Sequence, residues 1–87
     1  MTIFNFADII DKKLSIIYHQ NQGGRFSTAF EHCELKENSF LKSSYGNGKT
    51  INESINNYIV QIIGKTIVFN AYRENRQEFI VPNDIDY

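Results

Sequence analysis

Apolar side chains recur at Ile51, Ile55, Tyr58, Ile59 and Ile62, at offsets of four, seven, eight and eleven from the first. That spacing predicts an amphipathic helix over residues 51–63 with one stripe to bury. Its ends are marked as well. Thr50, with Glu53 three residues on, is a capping box, in which the threonine oxygen accepts from the amide of residue 53 and the glutamate reaches back to the amide of Thr50. Gly64 stands where a left-handed residue ends a helix. An apolar stripe must be covered by another layer, and 87 residues suffice for one core only. The rest of the chain therefore has to supply a sheet.

The flanking segments read as strands. Residues 14–20, LSIIYHQ, are rich in β-branched and aromatic side chains, and NQGG at 21–24 suits a tight hairpin. Residues 25–35 alternate, with Phe26, Thr28 and Phe30 on one side and Arg25, Ser27, Ala29 and Glu31 on the other. KENS at 36–39 is a polar turn into a third strand at 40–45; residues 65–71 and 77–82 form a fourth and a fifth, with Pro82 closing the last. A short helix over residues 5–13 is expected before them, with Asn5 as its cap, Phe6, Ile9 and Ile10 on one stripe, and Lys12 and Lys13 at its end. The expectation is one α+β domain over residues 1–82, in the order α-β-β-β-α-β-β, with an antiparallel sheet packed against one main amphipathic helix. Residues 83–87, NDIDY, read as a loose acidic tail.

YGNGKT at 45–50, and GKT again at 64–66, invite comparison with a phosphate-binding loop. Such a loop needs a second glycine with four residues between it and the GK pair, and those positions hold Ser43 and Ile59. Gly46, Asn47 and Gly48 instead read as a sharp turn of residues that tolerate positive φ. Together with Lys49 and the free amides of the helix start, Gly46 and Gly48 form a candidate anion site. Tyr72, Arg73 and Arg76, around the last hairpin, are a second candidate binding group, since tyrosine and arginine are enriched at interaction hot spots. Arg73 and Arg76 can alternatively pair with Glu74 and Glu78 on a solvated turn.

Nine basic and ten acidic residues leave the chain near neutrality, which argues against a general polyanion binder. Cys33 is the sole cysteine, so neither an intramolecular disulfide nor a cysteine-rich zinc site is available, and a reducing cytoplasm is the natural setting. His32 and Cys33 are adjacent and, on a strand, would face opposite ways; His19 could approach His32 across the hairpin, but the ligand count falls short of a metal site. Glu31, Glu34 and Glu37 read as a solvated acidic edge. No cofactor and no enzymatic chemistry are expected.

Three resemblances bear on function. The α-β-β-β-α portion, with Gly46, Gly48 and Lys49 before the helix, resembles the double-stranded-RNA-binding domain, which would imply phosphate contacts at that turn; the positions of that family's lysine cluster read TINESI here. The segment from Leu14 to Phe69, with its TINES helix start, resembles the HicB-like antitoxin fold, which would imply a toxin partner. The run from Tyr45 to Pro82 is similar to short proteins encoded by phages and prophages of Gram-positive bacteria, which would imply an accessory phage protein. The expectation is thus a non-enzymatic, phage-type protein in the bacterial cytoplasm that binds a host or phage protein, as a host-takeover or anti-defence factor. Its expected contact surfaces are a free sheet edge and the Tyr72–Arg76 turn. The alternatives are a nucleic-acid-binding module or an antitoxin partner, and a sheet edge would also permit a homodimer.

Overall fold

The structure, a computed structural model, describes all 87 residues. Helix α1 (Ile3–Ile10) starts earlier than expected: its cap is Thr2, whose Oγ1 accepts from the Asn5 amide at 3.1 Å. The reason is packing. Ile3, Phe6, Ala7 and Ile10 form the buried stripe, whereas Ile9 faces solvent. Asp11, with φ 55°, ends the helix, so Lys12 and Lys13 lie beyond its last turn.

Seven strands follow: β1 (Leu14–His19), β2 (Arg25–Phe30), β3 (Cys33–Glu37), β4 (Phe40–Lys42), β5 (Gly46–Gly48), then β6 (Thr66–Phe69) and β7 (Gln77–Ile80) after helix α2 (Ile51–Ile62). The α+β class and the antiparallel pairing are as expected, but there are two sheets, ordered β1-β2-β5 and β4-β3-β6-β7. The expected strand over 25–35 breaks at Glu31 and His32, where His32 takes φ 56° and sends β3 into the second sheet. The expected strand over 40–45 is shortened to β4, which joins β3, and β5, beyond its expected end, joins β2.

Helix α2 is as the sequence predicts in extent, and Ile55, Tyr58, Ile59 and Ile62 of the expected stripe are buried, whereas Ile51 in the first turn is exposed. Thr50 Oγ1 accepts from the Glu53 amide at 3.1 Å, while the glutamate reaches one residue further back than the capping box predicts, accepting from the Lys49 amide at 2.8 Å. Gly64, at φ 71°, follows the helix as expected. Between the two sheets and both helices lies one cluster that includes Ile3, Phe6, Phe30, Leu35, Ile67 and Phe69. Phe30 is its hub, in edge-on contact with Phe6, Tyr58 and Phe69.

The last residues do not trail. Ile85 is buried, and the strand-like pairing of Thr2 with Asp86 is closed by bonds from the Ile3 amide to the Asp86 carbonyl (2.7 Å) and from the Asp86 amide to the Met1 carbonyl (2.9 Å). The hydrophobicity of Ile85 outweighs the acidity of its neighbours Asp84 and Asp86, which stay at the surface.

Candidate functional site

The glycine turn expected at residues 46–48 is a strand. None of Gly46, Asn47 and Gly48 has positive φ; Gly46 pairs with Thr28 and Gly48 with Phe26 in β2. Glycine is required there for proximity. A Cβ on Gly46 would overlap the Ser54 carbonyl oxygen and the Tyr58 nitrogen, and one on Gly48 would stand 2.5 Å from the Ser54 nitrogen. Both glycines are buried beneath the backbone of α2, so neither can cradle a ligand. Lys49 is exposed, but the helix start beside it already holds an anion, the Glu53 carboxylate. The geometry therefore takes Gly46 and Gly48 out of the candidate anion site and sets a carboxylate against the Lys49 amide.

The other expected group lies elsewhere, on the loop between β6 and β7 of the second sheet. Tyr72 is exposed, and with Arg73 it rims a cleft of ≈ 380 Å³ that also takes in His32, Cys33 and Ser43. Arg76 is committed within the chain: its guanidinium donates to Glu78 at 2.8 Å and to the Ala71 carbonyl at 3.4 Å. Burial pushes the Cys33 thiol up to about 12, which keeps it protonated near neutral pH and disfavours thiolate chemistry there. His32 sits in the turn rather than on a strand, and the hairpin's length separates it from His19, which pairs with Arg25 at the other end. No group of three or more potential metal ligands is assembled. No helix is long and apolar enough to cross a membrane.

The sheet edges differ sharply from one another. Along β5, side chains of α2 take the place of a further strand: Asn57 Nδ2 donates to the Asn47 carbonyl at 2.5 Å and Gln61 Nε2 to the Tyr45 carbonyl at 2.7 Å, with Ser44 Oγ donating to Gln61 Oε1 at 2.6 Å. β4 is only three residues long and ends in Lys42, which pairs with Glu37 at 3.2 Å. β7 carries a charge at Glu78, held by Arg76 at 2.8 Å and Lys36 at 3.2 Å. Short length and charge are the usual protections of an edge.

β1 has none of these. It is six residues long, pairs with β2 without a bulge, and carries no charged residue; no other charged residue follows until Arg25. Ile17 is 53% and Tyr18 57% exposed, and Ile16, on the helix side with Tyr18, is exposed as well. The Glu31 amide donates to the Lys13 carbonyl at 3.1 Å, so the odd-numbered residues of β1 bond to β2. The amides and carbonyls of Leu14, Ile16 and Tyr18 point outward along the free edge. The outer face of the same sheet is a groove of ≈ 620 Å³, with small side chains at Ser15, Ser27 and Ala29 on its floor and Ile17, His19 and Tyr45 at its sides. A free sheet edge is expected from the sequence, but not on β1 in particular, since the run LSIIYHQ lacks the alternation that marks a half-exposed strand. Its lack of any charge was the available signal.

Comparisons with protein-family models, with curated proteins and with solved structures gave no match.

Proposed function

We propose that this chain is a non-enzymatic binding protein that recognises an extended, uncharged segment of another protein by adding it as a strand to β1. The observation that carries this reading is the contrast among the edges: three are short, charged or covered by helix side chains, and β1 is six residues long, unbulged and without a charged residue. In strand addition the outward amides and carbonyls of Leu14, Ile16 and Tyr18 supply affinity, and the side chains on either face select the partner. On the helix side Ile16 and Tyr18 favour apolar residues at alternate positions; on the other side the partner extends the groove beside Ile17.

The resemblance expected from the sequence, to phage and prophage proteins, supports a partner in a bacterial host, and a host-takeover or anti-defence role in the cytoplasm is part of this proposal. A nucleic-acid reading has less support, since the Glu53 carboxylate, a negative charge, sits against the Lys49 amide beside the helix start it would use.

The test is capture of partners from bacterial lysate by tagged full-length chain, with and without nuclease, using wild type, Ile16→Lys and Lys49→Glu. The expected result is a stoichiometric protein that survives nuclease, persists with Lys49→Glu and is lost with Ile16→Lys. Retention of that protein by Ile16→Lys, or no protein above background, would overturn the reading.

A further inference from the structure

From the register and charge of β1 we infer that, before a partner is bound, its edge is covered by the β1 of a second copy of this chain, making an antiparallel, twofold-symmetric dimer with one continuous six-stranded sheet. This rests on the reading of β1 as the working surface and deepens it, because the same edge then serves self-association and partner capture in competition.

The geometry narrows the pairing to a few registers. Only the even-numbered residues present free backbone groups outward, so hydrogen-bonded pairs across a twofold axis must match even with even. The register that uses all three places Ile16 opposite its own symmetry mate and Leu14 opposite Tyr18 of the other copy. Apolar side chains then meet apolar ones on the helix side, where Tyr18 already lies 5.0 Å from Phe26 by ring centroids. On the groove side Ile17 faces Ser15.

Charge permits this occupant. In the same register Lys13 comes opposite His19 and Lys12 opposite Gln20, so no lysine meets a lysine. Lys13 is moreover paired with Glu31 at 3.6 Å, and the Lys12 ammonium is directed to Gln77 Oε1 in β7. A charged partner strand would gain no opposite charge along Leu14–His19, whereas a neutral copy of β1 loses nothing. An isologous contact of this kind closes on itself and leaves no second copy of the same edge to propagate a fibre.

Sedimentation of the purified full-length chain from micromolar to millimolar concentration tests the inference. The expected result is a concentration-dependent rise from 10.1 kDa to twice that mass, with amide exchange of Leu14, Ile16 and Tyr18 slowing as the dimer forms. Ile16→Lys and Ile16→Glu should each weaken self-association by about tenfold or more, because like charges then stand directly opposite one another. Mixing the two variants should restore a heterodimer, an outcome that requires both to be folded and residue 16 to face itself. Ile80→Lys, on the edge strand β7 of the other sheet, should leave the dimer intact.

A chain that stays monomeric at every concentration, a dimer lost with Ile80→Lys, or Lys and Glu variants that do not recombine would overturn the inference. Each result is distinguishable from failure of the proposed function: a monomer that still captures a host protein through Ile16 removes only the self-pairing. A dimer that captures nothing removes only the host partner.

Discussion

The carbonyl oxygen of Ser54 occupies the space that a Cβ at position 46 would need, so Gly46 lets the backbone of α2 lie directly on β5. The neighbouring Thr28 and Ser54 hydroxyls, 2.8 Å apart and buried, share the same close approach. Gly46→Ala should therefore destabilise the fold by about 1–3 kcal/mol or more, the range of overpacking substitutions, because the obstructing atoms are backbone and cannot swing aside. The midpoint of urea unfolding measures it. A neutral Gly46→Ala would show that α2 does not sit this close to β5.

Tyr58 fills the core with its ring and accepts a backbone hydrogen bond with its oxygen. Its hydroxyl accepts from the Phe30 amide at 3.2 Å, at the point where β2 runs on past the end of β5 and has no strand partner on that side. Tyr58→Phe keeps the ring and leaves that buried amide unpaired. A loss of about 1–3 kcal/mol is expected in chemical denaturation. The Phe30 amide should also exchange faster with solvent.

Cys33 should be slow to react. With burial pushing its thiol up to about 12, almost no thiolate exists at pH 8, and the half-buried side chain limits access. A chromogenic disulfide reagent should modify the native chain far more slowly than the chain in denaturant. Comparable rates in the two states would contradict this environment.

Two carboxylates set the acid limit of the second sheet. Hydrogen bonds from Lys65 and Lys42 hold Glu37 below its ordinary value of 4.5, and hydrogen bonds from Arg76 and Lys36 do the same for Glu78. A folded pKa below the unfolded one means that the folded state binds fewer protons, so the stabilisation is present above about pH 4.5 and is lost as pH falls through the lowered values. Unfolding midpoints should drop as pH falls below that value, and less steeply in the Glu37→Gln, Glu78→Gln double variant. Both groups are at the surface, so added salt should shrink the difference between the two proteins.

What the sequence determined by itself is what short-range chemistry dictates. The period of Ile55, Tyr58, Ile59 and Ile62, the Thr50 cap and Gly64 mark α2, because each acts within a turn or two of the backbone. The Thr2 cap of α1 escaped notice only because Asn5 offered an equally good local pattern. Only the tertiary structure decided the rest. GNG reads as a turn because glycine serves both positive φ and close approach, and which of the two applies depends on a helix that comes later in the chain. The break at His32 turns one expected sheet into two, and although histidine tolerates positive φ better than most side chains, that weak local tendency does not mark the position. The proposed site depends on both: whether LSIIYH is a central strand or an open edge is a matter of sheet order, fixed by which strands the core draws together and not by the residues of the strand itself.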